Sequence, residues 1–242
     1  MWKTLFGLLK KESACEVAFD ASLEMLQQCE AMFRDAVASL WHEGSLVVDI
    51  YRRDREINRY QRAVRRDIVT HLAVSSNPDI NSALVLTAVV IDIERIGDYT
   101  KNIVELAAAY KGRFSGGELS GEIRAAEALV LRMFQGLVPA LQEGDADLAR
   151  RLIGDHQVVA ERVEEGLHDL IAGRVMTGNT SEAVVAALYM RYLKRVSAHL
   201  KNVATSIVNP YYRIGYREKG APSGAHASGG ASDPAGTEAD CG

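Results

Sequence analysis

The sequence is poor in cysteine, proline and long apolar runs, and each shortage excludes a class of protein. Its three cysteines among 242 residues form no Cys-x-x-Cys pair, so a disulfide-rich scaffold is not expected. Only Pro78, Pro139 and Pro210 precede residue 218, which leaves room for long uninterrupted helices. The apolar stretch within residues 1–11 is too short to cross a membrane and has no small-residue cleavage site. We therefore expect a cytoplasmic protein with reduced thiols.

Positive and negative charges nearly balance over the body of the chain. The formal net charge is −4, and residues 218–242 carry −3 of it, which leaves −1 for the rest. A body without excess positive charge or a recognition motif is not typical of a nucleic-acid-binding protein. The sequence also has no phosphate-binding glycine loop, nucleophile elbow or zinc motif. We therefore expect no nucleic-acid partner and no enzyme of those classes.

Apolar residues recur with helical spacing along most of the chain, and no segment keeps the period-two alternation of a strand. The pattern predicts six long helices, with Asp79 as the cap of the third. This third helix, over about 80–112, is apolar on most sides and is expected to be central. Short loops favour neighbouring antiparallel helices, so we predict an all-α fold of two tandem antiparallel three-helix bundles.

The chain also repeats itself after 100 residues, since Arg95 and Lys101 recur as Arg195 and Lys201 among matching apolar positions. The predicted organisation is a short amphipathic N-terminal segment at 1–11, a first repeat at 12–115, a second repeat at 116–217 and a disordered Gly/Ala/Ser-rich tail at 218–242. The tail lacks the large apolar residues that a core needs.

Acidic residues continue an apolar stripe on the predicted third helix. Helical spacing from Ile80, Leu84 and Ile91 leads to Glu94 and Asp98. The two carboxylates lie one turn apart, and they repel each other unless a positive charge lies between them.

The predicted second helix offers oxygen atoms that complement this pair. Asp54 lies on its apolar stripe and Asn58 follows one turn later. Carboxylate and amide oxygens without His or Cys suit Mg²⁺, Mn²⁺ or iron, so one interpretation is a metal site formed by Glu94, Asp98, Asp54 and Asn58. The other is that Arg95 and Arg59 form ordinary ion pairs with these acids. Spacing leaves both open.

Gly97 lies inside the same predicted helix, where glycine costs about 1 kcal/mol relative to alanine. A close crossing with another helix would explain its presence there. We therefore expect another helix to pack tightly against this position.

These residues carry a resemblance to a known family. Glu94-Arg95-Ile96-Gly97-Asp98 closely resembles the acidic motif of the PhoU phosphate-uptake regulators. Asp54-Arg55-Glu56-Ile57-Asn58 is similar to the second-helix motif of that family, with Asn58 where aspartate is common. With the six helices and the repeat, the resemblance covers roughly residues 10–215.

The resemblance implies two three-helix bundles, surface metal ions of divalent or iron type (Fe, Mn, Mg or Zn), frequent homodimerisation and no catalytic cycle. Members of the family look like adaptors that lower phosphate uptake and signalling when phosphate is plentiful. The implied partners are a phosphate transporter component, a sensor histidine kinase or both, with peripheral membrane contact through the transporter.

The second repeat departs from the acidic motif. Asp92, Glu94, Asp98 and Glu105 are replaced by Tyr192, Lys194, Ala198 and Thr205. A 101-residue shift places Asp155 opposite Asp54 and a valine opposite Asn58, whereas a 102-residue shift places His156 opposite Asp54. We therefore assign no metal ligands to this repeat and expect it to serve packing or partner binding.

Five arginines spaced three and four residues apart place one guanidinium at each turn of the second helix, away from its apolar stripe. The members of this arginine row are Arg52, Arg55, Arg59, Arg62 and Arg66. Guanidinium groups bind carboxylate and phosphate in a bidentate manner, so the row is a candidate docking surface for a partner or an anion. The alternative is a solvated helix face.

Two other functions stay open beside a metal-binding regulator. One is a carboxylate-bridged metalloenzyme, which is disfavoured because the chain has a single Glu-x-x-His motif where a di-iron bundle needs two. The other is a metal-free helical interaction module, in which Glu94 and Asp98 pair with arginines.

Overall fold

The structure is a computed structural model that describes residues 14–41 and 49–218. It contains six α-helices and two short 3-10 turns, at Gly117–Leu119 and Tyr211–Arg213. The helices are α1 (Ala14–Trp41), α2 (Ile50–Val74), α3 (Ile80–Ala109), α4 (Ser120–Glu143), α5 (Ala146–Ile171) and α6 (Thr180–Val208). No strand occurs in these two ranges, and the predicted all-α fold is confirmed. The predicted segment at 1–11 and the tail beyond residue 218 lie outside the described residues.

Local polar side chains and glycine set the helix ends. As predicted, Asp79 caps α3, because its carboxylate accepts a hydrogen bond from the backbone N–H of Ser82 at 3.0 Å. Asn179 caps α6 in the same way through the N–H of Glu182 at 2.9 Å. Helix α4 ends at Glu143 and is capped by Gly144, whose φ of 62° lies in the left-handed region that glycine adopts without a steric penalty.

The helices pack as two groups of three. Helices α1, α2 and α3 pack on one another, as do α4, α5 and α6, while α3 lies against α6 and α1 against α4. Tyr60 on α2 donates to Glu24 on α1 at 3.0 Å. Arg53, nearer the start of α2, pairs with Asp35, nearer the end of α1, so the two helices run antiparallel. Two tandem three-helix bundles are thus confirmed, with α3 central as expected. The exact domain boundary at residues 115 and 116 stays a prediction.

The apolar stripes form one continuous core. Phe33 and Leu40 on α1 and Ile57 and Val64 on α2 are buried, as their spacing predicts. Phe33 meets Phe134 of α4 with ring centroids 5.5 Å apart, so the core extends from the first bundle into the second. None of the six helices is both long and apolar enough to cross a membrane.

A buried carboxylate joins three helices at the junction of the bundles. Glu127 on α4 is only 3% exposed, and it accepts hydrogen bonds from Trp41 Nε1 on α1 and the Tyr189 hydroxyl on α6, both at 2.5 Å. Arg124 pairs with Glu127 at 3.3 Å and lies over the Trp41 ring, 3.8 Å from its centroid. Burial raises the pKa of Glu127, although Tyr189, Trp41 and Arg124 act to lower it.

A second buried carboxylate fastens the connection between the bundles. Glu182, in the first turn of α6, accepts hydrogen bonds from the backbone N–H and hydroxyl of Ser115, both at 2.7 Å, and from the N–H of Gly116 at 3.2 Å. The N–H of Gly178 donates to its other oxygen at 3.1 Å. Burial acts to raise the pKa of Glu182, but these hydrogen bonds outweigh it and lower the pKa. The segment between α3 and α4 is thus held on α6.

We expect the stability of wild type relative to Glu127→Gln to fall as pH rises from 4.5 towards neutrality. The substitution keeps an oxygen acceptor for Trp41 and Tyr189 but cannot ionise. Because the folded-state pKa of Glu127 lies above its ordinary 4.5, its contribution is complete below pH 4.5 and is lost as pH rises through the raised pKa. Urea unfolding at both ends of this range measures the change. An unchanged difference between the two proteins would contradict the prediction.

Candidate functional site

The structure brings three of the four predicted metal ligands to one face between α2 and α3, with the fourth one turn away. Asp54 and Asn58 lie on α2 opposite Asp98 on α3, and Glu94 lies one turn before Asp98. The carboxylate side chains of Asp54, Asp98 and Glu94 are 19%, 27% and 15% exposed, so all three are half-buried. We refer to Asp54, Asn58, Glu94 and Asp98 as the acidic cluster.

A lysine that the sequence analysis did not place in the cluster lies between its two central carboxylates. The ammonium of Lys101 is 2.9 Å from Asp54 Oδ1 and 3.1 Å from Asp98 Oδ1. Burial acts to lower the pKa of Lys101, but its hydrogen bonds and charge pairing with both aspartates outweigh this and raise it. The signal available in the sequence was the spacing of three residues from Asp98, which puts both side chains on one helix face.

The other two oxygens of these aspartates also have donors from the chain. Asn58 Nδ2 donates to Asp54 Oδ2 at 3.3 Å and to the Asp54 carbonyl at 3.0 Å. Arg95 donates to Asp98 Oδ2 at 3.0 Å. All four carboxylate oxygens of Asp54 and Asp98 therefore accept hydrogen bonds from protein side chains.

Glu94 interacts with the other members of the acidic cluster only through its charge. Its carboxylate lies 3.6 Å from Arg95 Nε, and burial followed by repulsion from Asp98 raises its pKa. Lys101 and Arg95 already place positive charge beside the carboxylates of Asp54 and Asp98, and a metal ion would have to displace these groups, so this arrangement does not fit a metal ion. Within the described residues, no group of three or more His, Cys, Asp or Glu side chains is placed to hold one. Metal binding stays a prediction.

Gly97 allows the close crossing that brings the cluster together. A Cβ atom at this position would lie 3.2 Å from Ile57 Cγ2 on α2 and 3.8 Å from Cys29 Sγ on α1. The expected tight packing is thus confirmed. Because Gly97 directly precedes Asp98, the same approach sets the distance between Asp98 and Asp54.

The second repeat uses its polar residues differently. Asp155, which a 101-residue shift aligns with Asp54, is held by Arg132 of α4 through two hydrogen bonds of 2.8 and 2.5 Å. Lys201, the counterpart of Lys101, donates to the Gly215 carbonyl at 2.6 Å. His156 contacts the Ser197 hydroxyl at 2.9 Å, and burial, with the charges of Lys201 and Lys194, lowers its pKa to about 4. No acidic cluster forms among these residues.

A polar contact ties α3 to α6 near the cluster. Asp92 Oδ1 lies 2.7 Å from His199 Nδ1 and accepts a hydrogen bond from Asn202 Nδ2 at 3.0 Å. The ring of Tyr99 stacks on His199 with centroids 5.7 Å apart. The sequence alone marks Asp92 only as a departure between the repeats, because its partners lie more than 100 residues away.

The arginine row lies on the outer face of α2, and all five members are exposed. Arg52 is 3.8 Å from Glu56 and Arg66 is 3.2 Å from Asp67. The three central members, Arg55, Arg59 and Arg62, have no ion-pair or hydrogen-bond partner within residues 14–41 and 49–218. Their charges are therefore available for a partner.

An apolar surface that the sequence analysis missed lies at the end of the hairpin formed by α2 and α3. Exposed aliphatic side chains occupy both sides of the connection, and we name them the apolar hairpin end: Val69, Leu72, Val74, Ile80 and Leu84. The stripe of Ile80, Leu84 and Ile91 was expected to be part of a central helix's apolar surface, yet these residues are 58%, 38% and 40% exposed. The core of α3 is instead formed by residues on its other faces, which contact α1 and α6.

Comparison with known proteins finds a PhoU domain in the first repeat. A family model described as the PhoU domain matches residues 23–107, which include the whole acidic cluster. The phosphate-specific transport system accessory protein PhoU homolog 1 of Thermotoga maritima is 31% identical over 119 residues, or 48% of this chain and 51% of that protein. The chain thus contains a PhoU domain. The match to the Thermotoga protein thus spans about half of that protein's length.

Longer matches to other PhoU proteins cover both repeats. The PhoU homolog of Pseudomonas aeruginosa is 25% identical over 185 residues, which cover 74% of this chain and 76% of that protein. The crystal structure of PhoU from Pseudomonas aeruginosa has a TM-score of 0.72 at 24% sequence identity and covers 81% of this chain and 95% of that one. This structural likeness shows that the two chains share a fold.

We expect Gly97→Leu to lower the free energy of unfolding by about 2 to 3 kcal/mol, because the new side chain would overpack the crossing with Ile57. Gly154→Leu is the matched control, since Gly154 lies inside α5 and a Cβ atom there would have open space within 4 Å. The control should be neutral or more stable by up to about 1 kcal/mol, as helix propensity predicts. Urea unfolding compares them, and equal stability of the two variants would contradict close packing at Gly97.

Proposed function

We propose that this PhoU-domain protein regulates phosphate transport by binding other proteins and does not catalyse a reaction. Support comes from its PhoU domain and from relatives that are named accessory proteins of a phosphate-specific transport system. The observation that carries the proposal is the arginine row, with its three central members exposed and unpaired in the described part of the chain.

The row has the dimensions of a helix-binding surface. From Arg52 to Arg66 it spans 14 residues, which is about 21 Å along a helix axis. A partner with carboxylates at comparable intervals can pair with several guanidinium groups at once, and such charge complementarity steers association and fixes the register. Helical spacing continues from Arg66 to the exposed Val69, so the apolar hairpin end adds contact area beyond the charged row.

The partner that we propose is a component of a phosphate transporter, a sensor histidine kinase or both. Docking on a transporter component would give the chain peripheral contact with the membrane at the cytoplasmic side. Homodimerisation is a separate proposal, for which sedimentation of the purified protein is the direct measurement.

A carboxylate-bridged metalloenzyme has less support. Such a centre needs several ligands that converge on one point, and two aspartates of the acidic cluster are already bound by Lys101, Asn58 and Arg95. The metal-free interaction module is the alternative that these contacts favour, and it is compatible with the regulatory function.

Deletion of the gene should raise phosphate uptake and the expression of phosphate-starvation genes in phosphate-rich medium. The physical reason is that the proposed regulator lowers uptake by binding its partner protein, and in the deletion strain the partner is always unbound. Uptake of labelled phosphate and a starvation-promoter reporter measure the two effects. Unchanged uptake together with unchanged reporter activity would count decisively against the regulatory function.

Reversal of the charges at the centre of the arginine row should abolish this regulation without unfolding the protein. The triple variant carries Arg55→Glu, Arg59→Glu and Arg62→Glu. It replaces complementary charge with repulsion, so it should fail to restore regulation of phosphate uptake in a deletion strain. The matched control reverses three exposed arginines in the second repeat, Arg151, Arg191 and Arg195. Both variants must give the helical circular dichroism of the wild type. If the row variant restores regulation as fully as the control, the row is a solvated face.

A further inference from the structure

The central carboxylates of the acidic cluster are neutralised by the chain itself. Lys101 Nζ lies 2.9 Å from Asp54 on α2 and 3.1 Å from Asp98 on α3, so one ammonium group bridges two helices. We propose that Lys101 is the resident cation of this cluster and takes the place that the family resemblance gives to a metal ion. The inference concerns the chain alone, and it can fail without any consequence for the proposed function.

Geometry and burial both support a fixed internal ion pair. The side chain of Lys101 is 21% exposed, close to the 19% of Asp54 and the 27% of Asp98. Partial burial strengthens the repulsion between two carboxylates, so removal of the ammonium between them is costly. Asn58 and Arg95 complete the shell of donors, and no oxygen of either aspartate is left without a protein hydrogen bond.

The second repeat offers an internal comparison. Lys201 occupies the position equivalent to Lys101, but Ala198 replaces Asp98 and the ammonium of Lys201 bonds to the Gly215 carbonyl instead. Asp155, on α5, is held by Arg132 of α4. Each repeat therefore neutralises its half-buried aspartates with a basic side chain of its own, although the two use different residues and different helices.

The bridge formed by Lys101 also affects how the arginine row is positioned. The arginine row and Asp54 lie on the same helix, and Lys101 ties that helix to α3. If a lysine provides the cation, the register of α2 against α3 does not depend on the supply of metal. The row would then be presented in the same position whether metal is abundant or scarce.

The first experiment asks whether the full-length wild-type protein takes up metal. The protein is equilibrated separately with Mn²⁺, Fe²⁺, Zn²⁺ and Mg²⁺, dialysed and measured by elemental analysis, beside a folded Glu94→Ala, Asp98→Ala variant. We expect both proteins to retain only background metal and the thermal midpoint of the wild type to stay unchanged by each ion. Retention of about one or more ions per wild-type chain, lost in the variant, would overturn the proposal.

The second experiment removes the ammonium and then the charges it neutralises. Lys101→Met should lower the thermal midpoint by roughly 3 to 6 °C, because two half-buried carboxylates then face each other. Adding Asp54→Asn and Asp98→Asn should recover at least half of that loss, since the repulsion is gone. Lys111→Met is the control, because exposed Lys111 donates only to the Ala108 carbonyl, and it should leave the midpoint unchanged.

Two outcomes of this series would overturn the proposal: a Lys101→Met midpoint equal to that of the control, or a triple variant no more stable than Lys101→Met. If Lys101→Met does not fold, Lys101→Arg provides the comparison. It keeps the positive charge and must retain the wild-type midpoint to within about 2 °C. The metal measurement is made on the wild-type protein, so it tests the proposal even if Lys101→Met does not fold.

Discussion

The arrangement of the first bundle depends on the close approach of α2 and α3 at Gly97. The absence of a side chain lets Ile57 come within 3.2 Å of the Cβ position, and Asp98 is the next residue along α3. At this separation Asp54 and Asp98 are near enough to share one ammonium group, that of Lys101. A larger residue would push the helices apart and leave two half-buried carboxylates without a common partner. An apolar contact thereby sets the electrostatics of the acidic cluster.

The position of α2 explains how the same helix can serve a structural and a recognition role. Its main packing partners are α1 and α3, both in the first bundle, whereas α3 also packs against α6. The outer face of α2 is therefore free to display the arginine row, while its inner face carries Asp54 and Asn58. Helix α3 is held from several sides, by Asp92 to His199 of α6 and by the crossing at Gly97. The surface proposed for partner binding thus rests on a well-anchored helix.

The two repeats show how one helical scaffold can keep its packing and change its polar chemistry. The apolar positions of α3 and α6 match after a shift of 100 residues, and both helices are buried along those positions. The carboxylates do not match, because Ala198 stands in place of Asp98 and Arg132 binds Asp155. The shared apolar positions keep the two helices packed, so the half-buried polar positions beside them can change without loss of the fold.

The amino-acid sequence by itself determined the features that depend on neighbours along the chain. Helical periodicity and the cap at Asp79 predicted the six helices, and the glycine inside α3 predicted the close crossing. The spacing of the arginine row predicted its exposure, because residues at each turn share one face. The segment from Glu94 through Asp98 resembles a known motif, and this resemblance predicted the family.

Only the tertiary structure decided which charges meet. Lys101 and Asp54 are 47 residues apart, and Glu127 binds Trp41 and Tyr189 across still longer separations. A sequence pattern shows that an acid needs a partner, but several lysines and arginines satisfy that need equally well until the helices are packed. The exposure of Ile80 was hidden for the same reason, since an apolar stripe does not reveal which of several apolar faces the neighbouring helices cover. Packing is a cooperative property of the whole chain, and it chooses among faces and partners that local chemistry leaves equivalent.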